Sequence, residues 1–420
     1  MQNEMLVDYN QLQAASANVL TATGTENIED LIRRALDFSV DEPSAEQQDA
    51  FALLCQTIAN GDIDPNANYG LRSHQARDTL LSYVCRFPVE QGNFLKKCVA
   101  CLIALGAAPD QPCGTGFSPL HIAANYNNVC VIESLLAHGA SIEGRNPPNC
   151  FTPLHVAVVN GHRDALCTLL RHGADLHRAA DNGYYPLHMA AQYGHTLITE
   201  ILFAHGAKLQ DTTHSSKDIT VSVAGLTALH IAAFSGHPEL VRLLLTRGGN
   251  PFVKSQGGDL PLHLAASTNQ TECIAVLVKH SPLSIEERNI LNYTPLHCAA
   301  ATNSAASIDM LVSLKANLNA GSIHGETPLH VACANRLHDA LQALLQHGAQ
   351  PNVRTNFGRS PLHIAVEMAD TKAVDLLLAA AAAPDSLDDK HQSPLGLAAC
   401  KGYYRILDRL LACQSAVNLN

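Results

Sequence analysis

The sequence predicts an all-α solenoid in which antiparallel helix pairs are joined by β-hairpin-like turns, with a helical cap at the N-terminal end. The first observation is a recurring Pro-Leu-His tripeptide, usually preceded by Ser or Thr and followed two residues later by Ala. The second is the spacing of its histidines, 33 or 34 residues except for one step of 42. Such a period is typical of repeat arrays, in which each unit packs only on its neighbours. The motif histidines are His121, His155, His188, His230, His263, His297, His330 and His363.

Each motif has the residues that begin a helix. In the first motif, Ser118 supplies an N-cap oxygen, and Pro119 takes the first helical position, where no backbone partner is needed. His121 follows three residues after the cap, so its imidazole is placed to bond back to the cap or to the backbone of the next repeat. The small pair Ala123-Ala124 then lets two helices approach closely. The motif therefore predicts a structural role for its histidine.

A second helix is predicted to complete each repeat. A Gly-His step, as at Gly161-His162, turns the chain into a segment with an apolar face. This second helix is expected to end at a glycine in the left-handed conformation, before a polar turn that leads to the next motif. The predicted helix-ending glycines are Gly106, Gly139, Gly173, Gly206, Gly248 and Gly348.

Four repeats lack the helix-ending glycine. The residues in its place are Ser281-Pro282, Lys315, Ala381 and Gln414. Because a β-carbon costs on the order of 1 kcal/mol in the left-handed region, we expect these helices to be looser or to end differently. In addition, Gly396 stands where a ninth motif histidine would fall.

Motif, period and helix ends together resemble the ankyrin-repeat family. The resemblance covers roughly residues 95–420, and it implies an array that binds proteins along a concave track. The pattern is degenerate before residue 95, so we predict a non-repeat helical cap over residues 1–70, partly disordered, and the solenoid over residues 71–420. The 42-residue step places an insertion at about 210–224. It is either a tolerated surface loop or a projection that contacts a partner or is phosphorylated.

Composition restricts the class of partner and the compartment. The net charge of −11, without a block of Lys or Arg, argues against duplex nucleic acid and anionic membrane surfaces as partners. The longest apolar stretch, residues 374–384, is too short for membrane insertion. Thirteen cysteines without a fixed framework indicate free thiols in a reducing compartment, and residues 1–8 lack a secretion signal. We expect a monomeric array in the cytoplasm, with the nucleus as an additional location.

No pattern for catalysis or metal binding is found. Most of the 22 histidines fall at repeat positions, and the others are scattered. Cys98 and Cys101 have zinc-like spacing, but they lack a matching second pair. Residues 114–116 lead into a helix cap rather than into a phosphate-binding loop. We therefore predict no enzyme activity, no cofactor and no metal site.

Aromatic residues are the expected hot spots of a protein-binding surface. One candidate set immediately precedes the helix cap: Phe117, Phe151, Tyr184 and Tyr293. A second set lies four or five residues after the motif histidine: Tyr126, Tyr193 and Phe234. The alternative is that some of these rings only cover neighbouring hairpins. The later repeats are expected to offer a secondary, charged surface with Arg336, Arg359, Glu367 and Lys401.

The family resemblance also implies a modification and a function. Ankyrin-like arrays are substrates of an asparaginyl hydroxylase, and the matching hairpin positions are Asn319, Asn352 and Asn418. The predicted function is a scaffold that binds a partner protein or peptide on the concave surface. One alternative is a substrate-recognition adaptor that recruits a second protein, such as ubiquitin-ligase machinery, through residues 1–70. Another is a bacterial effector that acts in a host cell.

Overall fold

The computed structural model describes residues 28–36, 44–69, 78–87, 92–147, 150–214 and 224–417. These residues form helices and turns, with two isolated β-bridges and no strand among them. They divide into two compact units: one ends at Ala190 and also holds residues 197–207, and the other comprises residues 191–196 and the chain from Lys208. The predicted disorder at the start of the chain, residues 215–223 of the predicted insertion and Asn418 lie outside the described residues.

The described helices follow one another in pairs. Up to the end of the His155 repeat they are α1 (Ile28–Ala35), α2 (Ala45–Ala59), α3 (Leu80–Val84), α4 (Gly92–Ala104), α5 (Pro119–Asn125), α6 (Val129–Ala137), α7 (Pro153–Val159) and α8 (Arg163–Arg171). Later in the chain they are α9 (Pro186–Tyr193), α10 (Thr196–Ala204), α11 (Ala228–Ser235), α12 (Pro238–Thr246), α13 (Pro261–Ser267), α14 (Thr271–His280), α15 (Pro295–Ala301), α16 (Ala305–Ser313), α17 (Pro328–Ala334), α18 (His338–Gln346), α19 (Pro361–Glu367), α20 (Thr371–Ala379), α21 (Pro394–Lys401) and α22 (Tyr404–Val417). Within the described part of the chain, no helix has the length and apolar character that crossing a bilayer requires.

Where the motif has a Ser or Thr before Pro or Ala, the first helix begins directly after it, as predicted. Thr327 caps α17 with an extended backbone (φ −86°, ψ 166°), and Pro328 takes the first helical position. His330 Nδ1 lies 2.8 Å from the Thr327 hydroxyl oxygen and 3.1 Å from its backbone nitrogen. The imidazole thus accepts from the backbone N–H of the cap residue, as a Glu or Gln side chain does in an ordinary capping box. The same arrangement recurs at Thr152, Thr227, Thr294 and Ser360.

The core is made of small and branched apolar side chains. Consecutive first helices pack on each other, as α13 does on α15. The alanine two residues after the motif histidine is fully buried, as at Ala299 and Ala332, and so are leucines such as Leu296 and Leu329. Burying one leucine contributes roughly 2 kcal/mol, so many similar layers stabilise a thin core without Trp.

The ends of the second helices follow the prediction in part. All six predicted glycines have φ between 85° and 98°, in the left-handed region. Lys315 and Ala381 adopt the same region, with φ of 73° and 62°, so the expectation of a different ending is wrong there. Ser281 is different: its φ is −140°, and the chain continues into a 3-10 turn over Pro282–Glu286. Gln414 lies inside α22 rather than at its end.

The segment before residue 70 also forms a packed helix pair. Helices α1 and α2 contact each other through buried side chains that include Ile32 and Leu54. In the turn that follows, Asn66 donates to the Gly106 carbonyl at 2.9 Å and accepts from the Ala108 backbone N–H at 2.7 Å. Asn66 therefore links this pair to the turn after α4. The predicted domain boundary near residue 70 stays a prediction.

Candidate protein-binding surface

The second imidazole nitrogen of six motif histidines joins one repeat to the next. His330 Nε2 lies 3.1 Å from the Arg359 carbonyl oxygen, and His297 Nε2 lies 3.0 Å from that of Glu326. Because a carbonyl oxygen only accepts, Nε2 carries the proton and Nδ1 accepts from the cap residue. The same link joins His121 to Phe151, His230 to Asp259, His263 to Tyr293 and His363 to Gln392. Both nitrogens of these imidazoles are therefore used in hydrogen bonds within a repeat and between neighbouring repeats.

Burial keeps the motif histidines neutral. It lowers the pKa of His155, His230, His297 and His330 to about 4, and the neighbouring backbone carbonyls oppose this shift only in part. The pKa of His121, His263 and His363 is also lowered, with burial as the main cause. A neutral imidazole suits a link that needs one donor and one acceptor.

The aromatic residues before the cap lie against the motif imidazoles. The ring of Tyr293 stacks on His297 with centroids 5.0 Å apart, and Phe151 stacks on His155 at 5.9 Å. Phe117 and Tyr184 meet His121 and His188 edge to face, each at 5.9 Å. All four rings are half-buried. Each ring covers the imidazole of its own repeat, which differs from the alternative of covering a neighbouring hairpin, and the part of these rings in partner binding stays a prediction.

The residues after the first helix are more exposed. We call the surface around Tyr193 and Phe234 the first-helix surface; their exposed fractions are 49% and 50%, and that of Tyr126 is 38%. Tyr126, in the first unit, is held by Arg86, whose guanidinium lies 3.3 Å from the Tyr126 hydroxyl and 5.9 Å from its ring centroid. Tyr193 and Phe234 lie in the second unit, where Tyr193 stacks on His195 at 6.1 Å. Tyr193 and Phe234 therefore present the most accessible aromatic area of this set.

Charged residues predicted for the later repeats have partners within the fold. Arg336 donates to the Met368 carbonyl, and Arg359 pairs with Glu367. Lys401 is exposed at the end of α21. The pairing of Arg359 with Glu367 leaves a less charged surface than the sequence predicted.

A group of apolar side chains at the hairpin tips was missed by the sequence reasoning. We call Ile290, Leu291, Ile323 and Phe357 the tip cluster; their exposed fractions are 67%, 50%, 53% and 59%. They belong to the hairpins that precede His297, His330 and His363, three consecutive repeats of the second unit. The signal was present in the sequence: other tips carry polar or small pairs such as Asp181-Asn182 and Gln256-Gly257.

Comparison with known proteins agrees with the repeat geometry. The family model for "Ankyrin repeats (3 copies)" matches residues 81–180, 176–255, 229–322, 285–355 and 329–420. The chain belongs to the ankyrin-repeat family. This fold is a non-catalytic interaction domain that binds protein partners.

Similar ankyrin-containing proteins match over short segments. Inversin of Gallus gallus is 44% identical over 54 residues, which is 13% of this chain and 5% of that protein. The E3 ubiquitin-protein ligase KEG of Arabidopsis thaliana is 36% identical over 55 residues, 13% of this chain and 3% of that protein. The tyrosine-protein kinase HTK16 of Hydra vulgaris is 29% identical over 119 residues, 28% of this chain. This chain spans only 3% to 16% of the length of these relatives.

One solved structure with a similar sequence is the human ASB11 ankyrin repeat domain. It is 28% identical, with a TM-score of 0.46, and the match covers 56% of this chain and 99% of that domain.

The asparagines at the ankyrin hydroxylation position bond between repeats. Asn352 Nδ2 donates to the Ala381 carbonyl at 3.1 Å, and its Oδ1 accepts from the Ala383 backbone N–H at 2.8 Å. Asn319 Oδ1 accepts from the Gln350 backbone N–H at 3.0 Å. Both side chains thus bond to the turn of the following repeat, and their hydroxylation stays a prediction.

Polar side chains in the turns of the described ankyrin repeats also bond between neighbouring repeats. Within the described ranges, no group of three or more His, Cys, Asp or Glu side chains could hold a metal ion. A cavity of about 240 Å³ lies between the turns that precede His121 and His155. Its wall includes Asp110, whose carboxylate accepts from the Ser141 backbone N–H, and Arg145, which donates to the Ala179 carbonyl.

Proposed function

We propose that this ankyrin-repeat protein is a scaffold that binds a partner protein or peptide on the concave side, through the first-helix surface, without catalysis of its own. The observation that carries the proposal is the exposure of Tyr193 and Phe234, which lie five and four residues after the motif histidines of two consecutive repeats. Large rings that are half exposed lose water on binding at a low entropic cost. The motif histidines and the rings that cover them are already used inside the fold.

Replacement of both rings tests the proposal. The double variant Tyr193→Ala/Phe234→Ala should capture a partner from lysate at least about tenfold more weakly, while its circular dichroism and melting stay unchanged. Tyr404→Ala is the matched control, because Tyr404 is 76% exposed on α22, away from the first-helix surface. Equal capture by wild type and double variant, or equal loss with Tyr404→Ala, would place the binding site elsewhere.

We also propose a monomeric protein of the cytoplasm, with the nucleus as an additional location, that binds no nucleic acid and inserts into no membrane. The thirteen cysteines without a pairing framework support a reducing compartment, and the net charge of −11 supports the exclusion of nucleic acid. A fluorescent fusion found in the secretory route, or filter binding of duplex DNA at moderate salt, would contradict these proposals.

A further inference from the structure

Backbone hydrogen bonds hold the tip cluster in register. The Ile323 N–H donates to the Leu291 carbonyl at 3.1 Å, and the Asn356 N–H donates to the His324 carbonyl at 2.9 Å. The next tip continues the series, because the Asp389 N–H donates to the Phe357 carbonyl at 3.2 Å. Three neighbouring hairpins therefore present their apolar side chains side by side on a fixed frame.

The fold does not need apolar side chains at these positions. Hairpin tips favour Gly, Asn, Asp and Ser, which suit the turn and keep it soluble. The tips on either side follow this rule, with Gln256-Gly257 before the cluster and Asp389-Lys390 after it. Each member of the tip cluster is at least half exposed, so it contributes little to the core. Contiguous exposed apolar groups of this kind indicate a binding surface.

Two cations border the tip cluster, on the segments that lead into its first and third hairpins. Arg288 donates to the Gly321 carbonyl at 2.6 Å, and among the described residues it has no carboxylate partner. Arg354 donates to the Gly358 and Leu387 carbonyls, and its nearest carboxylate oxygen, on Asp389, is 3.9 Å away. Both guanidiniums are thus fixed beside the apolar tips, and neither is closely neutralised.

We infer that the tip cluster binds an acidic amphipathic segment of a partner protein. Large apolar side chains of that segment cover Ile323 and Phe357, and its carboxylates pair with Arg288 and Arg354. The inference rests on the proposed scaffold function and adds a second surface with a stated partner chemistry. A planar guanidinium held by a carbonyl keeps free N–H groups that match a carboxylate.

A second copy of this chain fits the surface less well. A two-fold contact would bring the tip cluster onto itself and set Arg288 and Arg354 of one copy against the same cations of the other. Both copies also carry a net charge of −11, which adds repulsion. An acidic segment avoids the contact between like cations, because its carboxylates meet Arg288 and Arg354.

Selection from a random peptide library displayed on phage, with the full chain as bait, tests the inference. We expect enriched peptides to combine two or more large apolar residues with Asp or Glu. Their affinity, measured by fluorescence anisotropy, should fall by about tenfold or more for Ile323→Ser/Phe357→Ser and stay unchanged for the control Tyr404→Ala. Arg288→Glu should weaken binding, and a peptide with Lys in place of its acidic residue should restore it.

The outcomes separate the inference from the scaffold proposal. Peptides that depend on Tyr193 and Phe234 but not on the tip cluster overturn the inference and leave the scaffold function intact. Enrichment of basic peptides, or no rescue by charge exchange, overturns the stated chemistry. Failure to enrich any peptide overturns the inference, and it contradicts the scaffold function only if the lysate capture fails as well. Light scattering that shows a dimer, lost in Ile323→Ser/Phe357→Ser, would identify a second copy as the occupant and overturn the inference.

Discussion

Acid should destabilise the repeats through their motif histidines. Burial lowers the pKa of His230, His297 and His330 to about 4 in the folded protein, against 6.5 for an exposed imidazole. The unfolded chain therefore binds protons that the folded chain excludes. The stability from these neutral imidazoles is fully present above pH 6.5 and is lost as the pH falls from 6.5 towards 4.

The size of this effect follows from the two pKa values. At pH 5 the unfolded form of each imidazole is mostly protonated and the folded form is not, which costs about 2 kcal/mol per histidine. Three such histidines in the second unit together lose about 6 kcal/mol, a large share of the roughly 5–15 kcal/mol that stabilises a typical domain. Because each imidazole bonds to the next repeat, the links between repeats should weaken.

Urea unfolding followed by far-UV circular dichroism at pH 7.5 and pH 5.0 measures the loss, and a pH titration of the imidazole signals by NMR measures the pKa values directly. Carboxylates also titrate in this range, so a variant isolates the contribution of one histidine. His330→Gln should be less stable than wild type at pH 7.5 but should lose about 2 kcal/mol less on acidification.

Two results would refute this reasoning. One is a folded-state pKa near 6.5 for the motif histidines, which would mean that water reaches them. The other is an equal loss of stability in wild type and in His330→Gln between the two pH values.

Three further substitutions should change the free energy of unfolding measured by urea titration at neutral pH. Lys315→Gly should stabilise by about 0.5 kcal/mol or more, because it removes a β-carbon from a residue with φ of 73°; no gain would mean that the lysine side chain contributes there. Gly248→Ala should lower the free energy of unfolding by about 1 kcal/mol, because an alanine is strained in the left-handed conformation. Gly258→Ala should lower it clearly more, because the added β-carbon would also lie 2.8 Å from the Ile290 nitrogen. Equal losses of stability in the two variants would contradict this clash. Asn352→Ala should cost about 1–2 kcal/mol through its two bonds to the next turn, and an unchanged stability would show that water replaces them.

The features that were predictable from sequence are those that depend on local chemistry. A Thr followed by Pro and then by His specifies a helix start within four residues, and a glycine after the second helix specifies its end. The prediction for the helix end at Lys315 was wrong for a tertiary reason. Packing between repeats fixes the turn, and the lysine backbone adopts the left-handed conformation at a small cost in free energy. At Ser281-Pro282 the sequence correctly indicated a departure, but it did not predict the 3-10 turn over Pro282–Glu286.

The candidate surfaces were harder to predict, because exposure depends on the neighbouring repeats. Phe151 and Tyr293 looked as available as Tyr193 in the sequence, yet their rings lie against imidazoles of their own repeats. The tip cluster escaped notice because no single hairpin reveals it. Ile323 becomes part of a surface only when the bonds between tips set it beside Leu291 and Phe357.

The bond from a motif imidazole such as His330 to the following repeat also gives the array a direction. As the ribosome releases the chain, a newly made repeat keeps an unmet N–H group until about thirty more residues have emerged and brought the acceptor carbonyl. Folding during synthesis should therefore trail translation by one repeat. The repeat with Gly396 has no motif imidazole and therefore lacks this bond.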